Sequence, residues 1–171
     1  IEATHVRPAV DALLASAREA VDAIAESEAP RTYENTLGAL EDATEALELA
    51  MTTVGHLESV ATTDALREAY NEAVPKVSAF WSELAMNDGL YAAVRAFAQT
   101  SEAASLDRTR KRFLEKTLDD FRRHGAELGP QEKAKLQAMD VELTQLTTKF
   151  SQHVLDETNA FELLITDEAK L

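Results

Sequence analysis

The 171-residue sequence contains no cysteine, which excludes disulfide staples and thiolate metal sites. Only five glycines and four prolines are present, while Ala, Leu and Glu are abundant, a bias toward helices over a turn-rich sheet fold. No apolar run approaches the roughly 20 residues that span a bilayer. The opening Ile1-Glu2-Ala3-Thr4-His5 lacks the basic-then-apolar pattern of a signal peptide. Basic residues are outnumbered 17 to 31, for a net charge of −14. Phosphate contacts need a positive surface, so neither nucleic acid nor an anionic membrane is expected as a partner. A cytoplasmic location fits this composition. A start at Ile1 rather than Met leads us to expect residues upstream of it.

What is present is ordinary globular composition, 45% hydrophobic and 28% charged, in a chain long enough for one domain with a substantial core. Apolar residues at Val10, Leu13, Leu14, Ala17, Val21 and Ile24 predict a helix over about 7–27, with Pro8 in its first turn. Ala29-Pro30-Arg31 breaks it. A second, long helix is predicted from Thr32 or Tyr33 to about Ala61, capped by Thr32, with a seam at Leu37, Leu40, Thr44, Leu47, Met51 and Val54. Thr62-Thr63-Asp64 caps a third, over about 64–86, where Pro75 is expected to cause a kink or divide the segment. Asn87-Asp88-Gly89 reads as a turn, Leu90, Tyr91, Val94 and Phe97 as a short helix, and Thr100 to Ser105 as a loop. Further helices are predicted over about 107–124, stopped by Gly125, and 130–158, with a seam at Leu136, Met139, Leu143, Leu146, Phe150 and His153. Phe161-Glu162-Leu163-Leu164-Ile165 changes period and reads as extended. A lone strand cannot satisfy its own backbone groups, so sequence beyond Leu171 or a second chain is expected to pair there. The fold class is all-α: a long antiparallel bundle of about six helices with a short extended segment near the C-terminus.

Zinc peptidases use H-E-x-x-H, two histidines one helical turn apart with a glutamate that activates water. The histidines here, His5, His56, His124 and His153, include no pair four residues apart. A di-iron carboxylate site needs Glu-x-x-His on two helices, and Glu2-Ala3-Thr4-His5 alone supplies it. His153 and His56 read as seam-edge histidines hydrogen-bonded to a neighbouring carboxylate, for His153 the nearby Asp156 or Glu157. Ser59, Ser78 and Ser151 lack a nucleophile elbow or a His-acid context. No catalytic and no metal-binding residue is therefore assigned, and substrate-binding residues stay unassigned. Seven basic residues (Arg108, Arg110, Lys111, Arg112, Lys116, Arg122 and Arg123) share one helix with Phe113 and Phe121. Because Glu115, Asp119 and Asp120 are interspersed and residues 1–105 carry 6 Lys and Arg against 18 Asp and Glu, ion pairing with the acidic first part or a further domain is expected.

Ordered strings along the chain carry a family resemblance. They are His5 with Pro8-Ala9, Tyr33-Glu34-Asn35-Thr36, His56-Leu57-Glu58-Ser59-Val60, and Leu66-Arg67-Glu68-Ala69-Tyr70-Asn71 with Pro75. Then come Asn87 with Leu90-Tyr91, Leu114-Glu115 with Leu118-Asp119-Asp120-Phe121-Arg122, and Gly125 with Leu128. The closing Lys149-Phe150-Ser151-Gln152-His153-Val154-Leu155-Asp156-Glu157-Thr158-Asn159-Ala160 and Asp167-Glu168-Ala169-Lys170-Leu171 complete the series. In order and spacing these resemble the N-terminal helical region of the thimet oligopeptidase family of zinc metallopeptidases, most like its bacterial oligopeptidase A branch. The resemblance implies a two-lobed helical enzyme that cuts short peptides in a deep channel, with zinc and the catalytic residues downstream of this region. It divides the chain into 1–160, a non-catalytic helical domain walling the channel, and 161–171, a segment leading toward the catalytic region. That region would be the partner, on the same or a nicked chain. The alternative is a free-standing acidic helical scaffold.

Overall fold

The computed structural model describes residues 1–164 and residue 166. It contains α1 (Ala3–Glu26), a π-helical turn (Glu34–Gly38) running into α2 (Ala39–Val60), α3 (Asp64–Ala85), α4 (Asp88–Ala98), α5 (Ser101–Ser105), α6 (Arg108–Arg123) and α7 (Pro130–Ala160). There is no strand among the described residues, and the all-α class holds.

Local chemistry explains most boundaries. The Glu2 N–H donates to His5 Nδ1 at 3.2 Å, starting α1 ahead of the predicted position. Pro8 therefore lies inside the helix rather than in its first turn, and its missing donor falls opposite the exposed Thr4. Thr32 and Asn35 cap the second segment reciprocally: each backbone N–H donates to the other side chain, at 2.9 and 3.2 Å. Thr63 caps α3 by accepting from the Leu66 N–H. The division expected at Pro75 is absent, since α3 runs unbroken across it. Asn87 is an N-cap, so Asp88 and Gly89 open α4 rather than forming a separate turn. Gly89 has a packing reason: a Cβ there would stand 3.0 Å from the Ala25 Cβ of α1. The loop expected at Thr100 to Ser105 is the short helix α5, because Thr100 accepts from the Ala103 N–H. Gly125, at φ 92°, ends α6 in the left-handed region that glycine tolerates.

α1 is the hub, packed against α2, α3 and α4. Its buried residues, Val6, Val10, Leu14, Ala17, Val21 and Ile24, step by three and four. Across its outer edge Arg7 pairs with Glu72, Asp11 with Lys76 and Arg18 with Glu83. The constant offset of these pairs makes α1 and α3 parallel. The seam predicted for α2 is inward-facing, with Leu37 and Leu47 fully buried. Phe97 from α4 meets Tyr33 edge-on at 6.3 Å, fixing the π-helical turn over the core. Tyr91 and Phe121 join α4 to α6 at 5.6 Å.

Most of the seam predicted for α7 faces the other way. Met139, Leu143, Leu146 and Phe150 are 57, 60, 56 and 70% exposed, His153 is exposed as well, and only Leu136 is half-buried. Val154, outside the predicted seam, is 50% exposed beside them. Phe161, Leu163 and Leu164 follow the helix without regular secondary structure and are exposed as well. The extended reading of this segment meets extended backbone at Phe161; Ile165 and residues 167–171 lie outside the described residues.

Candidate functional site

The distinctive surface is the joint between α3 and α7 with the cleft beside it. Along α7, Asp140, Thr144, Thr148 and Gln152 recur every four residues and so share one face. That face is polar, and it is the one turned to α3. Ser82 donates to Asp140 at 2.6 Å, the Ser78 and Thr144 hydroxyls bond at 2.8 Å, and Gln152 Nε2 donates to Asn71 at 2.7 Å. Gln137 donates to Glu83 at 3.3 Å, and Lys133 reaches both the Met86 carbonyl and Asp88. Pairing of low numbers on α3 with high numbers on α7 makes the two antiparallel.

At the far end of the joint, Arg67 grips Asp156 through two hydrogen bonds of 2.8 and 2.7 Å. Its Nε faces the carboxylate of Glu58, which is 6% exposed, at 3.3 Å. The hydrogen bond to Arg67 holds the Asp156 carboxyl below its ordinary value, with the guanidinium charge adding to it. Burial, then the nearby Glu58 charge, pushes the Tyr70 hydroxyl up. Glu58 also accepts from Gln152 at 3.4 Å.

Beside this ladder lies an open cleft of about 620 Å³. Tyr70, Val77, Trp81 and Leu143 give it an apolar lining, and Ser78, Ser82, Asp140 and Thr144 give it hydroxyls and a carboxylate. This arrangement can hold an apolar group against a hydrogen-bonding wall. Its serines are occupied by Thr144 and Asp140, and His124 on the same cleft turns Nδ1 to the Asp120 carbonyl at 2.8 Å.

The residues weighed in the sequence fall apart in space. His153 is exposed, and Asp156, expected to be among its partners, is held by Arg67 instead. His56 is exposed near the end of α2, where its carbonyl accepts from Ser59. His5 serves the start of α1. Among the described residues no three His, Asp or Glu side chains converge with metal-binding geometry. Of the basic residues on α6, Arg110 reaches the acidic first part, 3.8 Å from Glu34 and over the Tyr33 ring. Arg112 and Arg122 pair locally, with Glu115, Asp119 and Glu127. Sequence reasoning missed the polar ladder itself. The four-residue recurrence of Asp140, Thr144, Thr148 and Gln152 was its only trace.

A family model described as Neurolysin/Thimet oligopeptidase, N-terminal domain, matches residues 10–135. The chain belongs to the thimet oligopeptidase family. Among similar proteins, oligopeptidase A of Salmonella typhimurium is 33% identical over the whole of this chain and 25% of its own length. Escherichia coli oligopeptidase A is 32% identical over 98% of this chain and 25% of its own. The dipeptidyl carboxypeptidase of Escherichia coli follows at 29% over 98% and 24%. The likeness to oligopeptidase A thus exceeds that to the dipeptidyl carboxypeptidase, in line with the resemblance read from the sequence. This member of the thimet oligopeptidase family spans about a quarter of the length of these relatives. Its histidines do not fit a zinc site, since three sit on separate helices and His124 follows the end of α6, and two are committed to backbone groups. No helix among the described residues is long and apolar enough to cross a membrane.

Proposed function

We propose that this chain is the N-terminal, non-catalytic part of a zinc-dependent oligopeptidase, and that its helices wall the channel admitting short peptides. The family match over residues 10–135 carries this reading. Residues 1–160 would be the wall and 161–171 the lead toward the catalytic region, with zinc and the residues that activate water outside this chain. A narrow channel limits substrates by size, since a folded protein cannot enter it. The open cleft along α3 and α7, apolar inside and hydrogen-bonding at its wall, suits contact with a peptide side chain. A cytoplasmic location belongs to the same proposal.

The test compares the 171-residue chain with the full-length protein. The full-length protein is expected to hydrolyse short peptides and to lose that activity to a chelator, while the chain alone is inactive. Chelator-sensitive peptidase activity in the isolated chain would refute the non-catalytic role. A reading frame ending at Leu171 would favour the acidic scaffold, which the uncovered face of α7 also suits.

A further inference from the structure

We infer that the outward apolar stripe of α7 is the docking face for the polypeptide that follows this domain in the full-length protein. The inference rests on the N-terminal placement proposed above. A helix at a protein surface ordinarily turns its apolar stripe inward and its polar side to water. α7 does the reverse. Its polar face is consumed by the hydrogen bonds to α3, which fixes the rotation of the helix. Met139, Leu146, Phe150 and Val154 are left facing outward, with Leu143 at the rim between this stripe and the cleft. Five such side chains, each at least half exposed, present on the order of 500 Å² of apolar surface, as large as the largest patches on typical monomers and of the kind that marks an interface.

Position and charge select the occupant. The stripe runs to the C-terminal end of α7, and Phe161, Leu163 and Leu164 extend it past Ala160. The matching family model is described as an N-terminal domain, and the chain spans a quarter of its relatives. Polypeptide following this domain thus emerges beside the stripe. Covalent attachment gives it an effective concentration on the order of millimolar. A second copy has no such advantage and brings another net charge of −14 to the contact. The downstream partner is therefore an apolar surface that seats along α7, leaving the α3 face as it is.

The absence of cysteine from this chain allows a direct test. Leu146→Cys is introduced into both the 171-residue chain and the full-length protein, and maleimide labelling at that position is followed by peptide mapping. Labelling at least tenfold slower in the full-length protein is expected; equal rates would overturn the inference. Leu143→Ser/Leu146→Ser/Phe150→Ser supplies a second readout: an unchanged melting temperature for the chain and a lowered one for the full-length protein. No change in either protein contradicts the inference. So does a concentration-dependent dimer of the chain that the triple variant abolishes while full-length labelling stays fast. Peptide hydrolysis by the unmodified full-length protein is scored separately. Activity with a freely labelled stripe sinks the docking face alone, and a protected stripe without activity sinks only the peptidase reading.

Discussion

Leu47→Ala and Leu146→Ala make the same chemical change in two seams that look alike along the chain, and the fold demands opposite outcomes. Leu47 is 1% exposed on α2, in the core cluster that α1 and α2 share. Its truncation removes buried methyl groups and leaves a cavity, which costs about 3–5 kcal/mol for a leucine in a packed core. For a domain of this size each kcal/mol lowers the melting temperature by about 2–4 °C, so a fall of about 10 °C is expected. Leu146 is 56% exposed on α7. Alanine there leaves no cavity and improves helix propensity slightly, so the change should stay within about 0.5 kcal/mol, or roughly 2 °C. Thermal melts of the 171-residue chain by circular dichroism, repeated at several dilutions, give both values. A Leu146→Ala loss as large as that of Leu47→Ala, independent of concentration, would refute the reading that α7 turns its apolar side outward.

Phe97→Ala, at a fully buried ring that supports Tyr33, is expected to cost about 3–5 kcal/mol in denaturant titrations. Gly125→Ala places a Cβ 2.8 Å from Leu128 and 2.9 Å from Leu136 at a φ of 92°; a loss of about 1–3 kcal/mol is expected, and none would show that the α6 end is not held left-handed. Thr63→Ala removes the acceptor for the Leu66 N–H and should cost about 1 kcal/mol. The Arg67–Asp156 pair lowers the folded-state pKa of Asp156. Its contribution is therefore complete above the ordinary aspartate value of 3.8 and is lost as pH falls through the lower folded value. Hydrogen exchange should show the C-terminal half of α7 loosening on acidification below that value in the native chain, and Asp156→Asn should abolish the pH dependence.

Much of this molecule was legible because helix ends are written in local chemistry. Thr32, Thr63 and Asn87 each bond a backbone N–H three residues on, and such caps need no tertiary partner. The seams of α1 and α2 face the core as their spacing implied. Pro75 does not divide α3, because a single proline inside a long helix removes one hydrogen bond, and the helix survives where packing on both sides holds it. The stretch from Thr100 to Ser105 misled because small polar residues suit a loop, yet one capped turn sufficed for a helix. The joint between α3 and α7 was hidden because its partners are far apart in sequence: Gln152 meets Asn71, and Asp156 meets Arg67.

By itself the sequence determined the helical class, most helix boundaries, the lack of a metal-binding motif and the family. All of these depend on residue type and on spacing within a few turns. Only the tertiary structure decided which side of each helix is covered. A three-and-four period shows that an apolar stripe exists, but burial depends on whether another element lies across it. For α2 the neighbour is α1. For α7 the neighbour is α3, which meets its polar side with hydroxyls, an amide and a guanidinium. Matching those groups removes the cost of burying them, and so the polar face of α7 lies inside while Leu143, Leu146 and Phe150 face out.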